Sequence, residues 1–211
     1  MEITKERINY FYKNEVFPTI RENKNLMLIS LGLFIFGCIF GFYTFKVFLD
    51  NDPLVIDNFI KEFQEMFGDI KEMSSFELFY TIFFINVRTS FFIMILGIFL
   101  GFFPFMSLLL NGSIVGLLYG KFIAEGMGPS VFLMGILPHG IIEIPTIIIA
   151  AAQGFRIGKE IIFPPLGKSR SEALRVNINK GLKLFAIIIP LLLVAALIEV
   201  YLSGYLLQAN L

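Results

Sequence analysis

The chain has 211 residues, with 17 basic and 17 acidic side chains, so it carries no net charge and lacks the basic footprint of a nucleic-acid-binding protein. Hydrophobic residues make up 56% and charged residues only 16%, against about 25% charged in soluble domains, and mean hydropathy is +0.79. The single cysteine, Cys38, rules out an internal disulfide framework and reads as a packing residue within an apolar run.

Residues 1–25 are polar, with Lys5, Arg7, Lys13, Arg21 and Lys24 set among glutamates, and Ile3, Ile8, Tyr10, Phe11 and Phe17 interleaved. That pattern suits either a helix lying on a membrane surface or a solvated tail helix. Residues 26–45 contain no charge, and about 20 such residues cross roughly 30 Å of hydrocarbon as a helix. This run starts late and lacks an Ala-x-Ala exit, so it is a first transmembrane helix and not a cleaved signal. The charges of residues 46–75 are mostly acidic, and Leu54, Phe59, Ile60, Phe63, Phe67 and Ile70 recur at helical spacing after Pro53, which predicts an external amphipathic helix.

From residue 76 to 211 the chain reads as a transmembrane core. An interfacial start over 76–86 is followed by a crossing over 87–109, which Asn111 and Gly112 should end. Residues 113–124 are short, and read either as a span or as a re-entrant half-helix. Gly126 to Pro129 is a turn, 131–152 is a crossing, 153–183 is a basic loop, and a last crossing begins at 184. The fold class is therefore an all-α polytopic bundle of about five transmembrane helices. Basic loops stay in the cytoplasm, which places the N-terminus inside and the C-terminus outside.

Small residues recur four apart at Gly37/Gly41, Gly97/Gly101, Gly112/Gly116/Gly120 and Gly154/Gly158. In lipid such stripes let helix backbones approach closely, and the ladder Gly112, Gly116, Gly120 is expected at the bundle's centre. The pattern does not separate internal packing from a homo-oligomeric contact.

His139 and Glu143 carry the sharpest functional signal. They lie four apart, hence on one helical face, at a depth where an ionisable group needs a partner. Pro138 and Pro145 flank them and can kink the helix, and Gly140 allows another backbone to approach. The pair reads either as a buried hydrogen bond locking the helices or as part of a polar cavity or proton-linked site. Asn86, Asn111 and Glu199 complete the candidate intramembrane polar site. Gln153 is placed at the membrane edge, and Arg156 as an interfacial anchor. No metal site is expected: one histidine and one remote cysteine do not make a zinc set, and neither HExxH nor a paired-aspartate pattern is present. No catalytic residue and no cofactor are assigned.

The run Leu137-Pro138-His139-Gly140-Ile141-Ile142-Glu143-Ile144-Pro145, continuing to Gly154-Phe155-Arg156-Ile157-Gly158, resembles the signature of the stage II sporulation protein M family. Asn86 upstream, and Asn111-Gly112 with Gly116, are similar to that family's pattern. The resemblance covers residues 76 to the C-terminus and implies a five-helix membrane protein without known catalytic activity. Members in sporulating bacteria act with partner proteins in a peptidoglycan-remodelling complex needed for engulfment. The family also occurs in non-sporulating organisms, archaea included, so the sporulation role does not transfer with the resemblance. The function expected is a non-enzymatic scaffold or assembly component of the cell envelope, with the bilayer and other envelope proteins as partners. A transporter or channel using His139 and Glu143 is the alternative, and an intramembrane metal-dependent hydrolase a weaker one.

The topology is testable directly. A cysteine introduced by Gln64→Cys should react with an impermeant thiol reagent added to intact cells, and one introduced by Ser169→Cys should not. The opposite labelling would invert the orientation.

Overall fold

A computed structural model describes residues 2–51, 54, 55, 58, 61 and 73–203, with the side chains of 2–4, 136, 139 and 203 left out. The described residues are helical throughout, apart from short turns. In chain order they form α1 (Glu2–Phe11), a π turn (Tyr12–Val16), α2 (Phe17–Glu22), α3 (Lys24–Asn51), α4 (Ser75–Ile95), a 3-10 turn (Leu96–Ile98), α5 (Phe102–Ala124), α6 (Pro129–Ile162), α7 (Arg170–Ile198) and a closing π turn (Glu199–Ser203). Among the described residues, five segments are long and apolar enough to cross a membrane: Lys24–Asn51, Ser75–Ile98, Phe102–Ala124, Gly140–Ile162 and Arg170–Leu202. The protein is an all-α, multi-pass membrane bundle.

Two helix starts are set by local chemistry. Ser74 and Glu77 form a capping box: the Ser74 hydroxyl accepts the Glu77 N–H at 3.3 Å, and the Glu77 carboxylate accepts the Ser74 N–H at 2.8 Å. Ser169 and Glu172 repeat the device before α7, at 3.2 and 2.8 Å. Each box satisfies two backbone groups that a helix start otherwise leaves open.

The break in the middle of the core falls elsewhere than the sequence pattern suggests. Asn111 and Gly112 do not end a helix; they lie inside α5, where the Asn111 amide donates to the Ser107 carbonyl one turn back at 2.7 Å. The chain turns instead at 96–101, where Gly101 has φ +81° and Leu100 φ +57°. Only glycine adopts such a φ without cost, and Pro104 is tolerated just beyond because the first turn of a helix needs no intrahelical donor. Residues 113–124 are thus the second half of a full-length span. Nor is 153–183 a loop. α6 continues to Ile162 and α7 begins at Arg170, so only residues 163–169 connect them. Basic side chains within 153–183 give it the pattern of a loop, but all except Lys168 lie on the two helices. Of the expected amphipathic helix over 46–75, Phe59, Ile60, Phe63, Phe67 and Ile70 lie outside the described residues.

The glycine stripes pair as seams. Along α3 and α5, which form the most extensive interhelix contact, a Cβ on Gly37 would stand 2.6 Å from the Leu109 carbonyl oxygen. A Cβ on Gly116 would collide with the Cys38 carbonyl, and one on Gly120 would meet the Phe45 ring at 2.6 Å. A second seam joins the 96–101 turn to α6. There a Cβ on Gly158 would lie 2.5 Å from the Gly101 nitrogen, and one on Gly154 2.7 Å from the Ile93 carbonyl oxygen.

The centre of the bundle is α6, not the Gly112 ladder on α5. Thr146 through Gly154 are buried without interruption. Ile149, Ala150 and Ile157 pack with Met94 of α4 and with Leu184, Ile188 and Leu192 of α7. Pro138 and Pro145 both lie inside α6 without ending it.

The later half of the N-terminal segment docks on the bundle, while residues 5–10 are exposed. Val16 is wholly buried in the same cluster as Leu184 and Ile188, and Lys183 pairs with Glu15 at 2.8 Å. The Tyr12 hydroxyl donates to the Ala186 carbonyl at 2.8 Å. That carbonyl would ordinarily accept the N–H of residue 190, but Pro190 has none. Tyr12 thus supplies from the far end of the chain the donor that α7 lacks.

These seams should make α5 intolerant of size. Gly116→Leu is expected to lower stability by about 1–3 kcal/mol in thermal melts of the purified protein, the usual cost of overpacking. Gly32→Leu on α3, where a Cβ would meet nothing within 4 Å, should melt with the wild type.

Candidate functional site

Of the residues that the sequence marks as a polar site, two come together. Glu143 lies on α6 and Glu199 opens the closing π turn, which packs against α6, and the two carboxylates are within electrostatic reach of each other. Both are half-buried, and among the described residues neither has a hydrogen-bond partner. His139 stands one turn before Glu143 on α6, between Pro138 and the buried Gly140. Its side chain lies outside the described set. Asn86 is half-buried on α4, and Asn111 is committed to its own helix. Among the described residues no three His, Cys, Asp or Glu side chains converge as a metal-binding group. Arg88 is exposed on α4 and lines a cleft of about 340 Å³ with Thr89 and Ser107.

A larger polar cluster sits near the end of α6, where the sequence suggested only edge residues. Gln153 is fully buried, and Asn23 and Asn177 are almost so, at 1% and 2% exposure. The Asn23 amide donates to the Gln153 carbonyl oxygen at 2.7 Å, and the Gln153 amide donates to the Asn177 backbone carbonyl at 2.7 Å. The Arg156 guanidinium extends the chain: its Nε donates to the Asn23 side-chain oxygen, one Nη to the Glu22 carbonyl at 2.5 Å, and the other to Glu160 at 3.1 Å. The second Glu160 oxygen accepts from the Asn177 amide at 2.6 Å. Lys180 pairs with Glu22 at 2.6 Å on the rim.

This cluster joins three parts of the chain far apart in sequence. Asn23 is the hinge residue between α2 and α3, with φ −88° and ψ 1°, and Gln153, Arg156 and Glu160 share one face of α6 at the spacing 3 and 4. Asn177 comes from α7. In a low-dielectric interior a fully paired network holds its members in one arrangement, whereas one missing member leaves costly unpaired groups. Sequence reasoning missed Asn23, Glu160 and Asn177 because nothing local links them. The signal available was the polar stripe Gln153, Arg156, Glu160 on an otherwise apolar helix.

The element 137–145, which carries Glu143, and the glycines at 154 and 158, which alternate with the polar cluster's residues, thus lie on the central helix. A family model described as Stage II sporulation protein M matches residues 30–204. The chain belongs to the stage II sporulation protein M family. Two uncharacterized proteins of Methanocaldococcus jannaschii are similar to it. One is 30% identical over 177 residues, which is 84% of this chain and 93% of that protein. The other is 28% identical over 185 residues, 85% of this chain and 81% of that protein. No solved structure matches. For this family member the match takes in the first membrane segment from residue 30, the other four up to their ends, the two glycine seams and, of the polar cluster, Gln153, Arg156, Glu160 and Asn177, while Asn23 lies outside it.

Replacing Gln153 by methionine keeps the bulk of the side chain and removes both hydrogen bonds. The Asn23 amide would then be buried unpaired, at a cost of about 1–3 kcal/mol. Thermal melts of Gln153→Met should show that loss, and Lys159→Gln on the exposed side of the same helix should not.

Proposed function

We propose that this family member is a non-enzymatic scaffold or assembly component of the cell envelope that holds partner proteins in the bilayer. The observation that carries this reading is the use to which the buried polar groups are put. Asn23, Gln153, Arg156, Glu160 and Asn177 bind one another and tie the N-terminal segment to α6 and α7. A transport route needs polar groups left facing an open path; these face each other. The tight glycine seams add to the same picture of a fixed bundle. The orientation proposed is N-terminus inside and C-terminus outside, since Lys24, Arg156, Lys180 and Lys183 gather at one end of the bundle. On that orientation the segment 46–75 faces outward and offers the partner surface.

A second reading, a proton or ion pathway, draws on one observation: the Glu143 and Glu199 carboxylates are brought together within membrane-spanning segments. Intramembrane carboxylates recur along proton relays. The two readings separate on Glu143→Gln, which changes the charge and nearly keeps the volume. The scaffold reading expects a folded variant, and no flux from wild-type protein in liposomes under imposed proton, sodium or potassium gradients. Wild-type flux that Glu143→Gln abolishes would install the transporter instead. A photo-crosslinker at Phe63 should capture a defined envelope partner in cells, and Phe63→Glu should end association with that partner.

A further inference from the structure

A groove of about 730 Å³ opens on the outer surface where α2, α3 and α6 meet, a volume in the range of small-molecule sites. Its walls are apolar: Ile20 from α2, Leu28 and Leu31 from α3, Ile144 and Ile148 from α6. Two cations, Arg21 and Lys24, stand at one end of it. From Lys24 to Leu31 the groove follows α3 for about 10 Å, at 1.5 Å per residue. It therefore runs from the membrane boundary into the hydrocarbon region.

The charges at its mouth are uncommitted. The neighbouring acids are taken up elsewhere, Glu22 by Lys180 and Glu15 by Lys183. Among the described residues neither Arg21 nor Lys24 has an ion-pair or hydrogen-bond partner, and both are exposed. The cause lies in the α2–α3 junction. Asn23 is drawn inward to Gln153, and the Glu22 carbonyl to Arg156, which turns Arg21 and Lys24 to the opposite, outward side. The polar cluster thereby fixes two positive charges above an apolar channel.

We infer that this groove is a binding site for an anionic phospholipid, with its phosphate between Arg21 and Lys24 and a hydrocarbon chain lying along Leu28, Leu31, Ile144 and Ile148. Anionic headgroups are attracted to Lys and Arg at the membrane surface, and the apolar channel below accepts only the chain of a molecule so anchored. A soluble phosphate compound would leave the channel empty, and a neutral lipid would leave the two cations unanswered.

The test uses the full-length protein purified in a mild detergent, with phosphatidylglycerol, phosphatidylcholine of the same chains, and glycerol phosphate as the three probes. Native mass spectrometry should show retained phosphatidylglycerol, and phosphatidylglycerol alone of the three should raise the melting temperature. The double variant Arg21→Gln/Lys24→Gln changes exposed side chains only. It should weaken phosphatidylglycerol binding by roughly tenfold or more, and a groove-filling Leu31→Trp should weaken it with both cations intact. Equal retention of the two lipids, a response to glycerol phosphate alone, or undiminished binding by the double variant would each overturn the assignment. So would a dimer of the lipid-free protein that the double variant dissociates, since a second copy would then be the occupant.

Discussion

An apolar side chain in hydrocarbon gains little by leaving lipid for protein, so this bundle cannot be held together by the force that assembles soluble helices. What remains is close contact and polar pairing, and both are visible in where residues without bulk and residues with amides occur. α3 and α5 touch backbone to backbone through Gly37, Gly112 and Gly116, and α6 meets the 96–101 turn through Gly154 and Gly158. Where α6 emerges among α2, α3 and α7, the contact changes character and becomes a chain of hydrogen bonds from Asn23 through Gln153 to Asn177. Adding bulk at the glycines or removing the donors of the cluster would leave helices with no particular reason to choose these neighbours.

The same constraint explains which parts of the fold could be read from residues alone. Two apolar runs, 26–45 and the one from 184, stand out in composition because each meets the requirement for length with at most one charge, whereas 113–124 is too short by itself to declare a span. The four-residue glycine spacings identify helix faces, and both seams use them. Their partners, however, are a property of three dimensions. Nothing in the sequence around Gly112 says that it meets α3, so its ladder could be mistaken for the centre of the bundle. The turn at 96–101 was obscured because it carries no polar signal at all, only Gly97, Gly101 and an unusual Leu100 among apolar residues. The helix start at Arg170, by contrast, is written locally in Ser169 and Glu172.

The candidate site divides in the same way. His139 and Glu143 stand out because charge at membrane depth is conspicuous in one dimension, and the meeting of Glu143 with Glu199 needs only that two late helices be neighbours. Asn23 and Asn177 gave no such sign, since each looks like an ordinary polar residue near a membrane boundary. Their role comes from burial against Gln153, 130 and 24 residues away in sequence. The more informative chemistry is therefore at the end of α6, around Gln153 and Arg156.

The bond between Tyr12 and Ala186 spans 174 residues. Translation makes the N-terminal segment first and α7 last, so the donor waits through the synthesis of nearly every other helix before its acceptor exists. Until then Pro190 leaves α7 with a carbonyl that lipid cannot satisfy, a defect that only the finished chain repairs. Membrane insertion can therefore proceed helix by helix, but closure cannot. Tyr12 and α7 act as a latch, and a nascent chain halted before its fifth span holds Tyr12 and Val16 undocked even where Asn23 has already met Gln153.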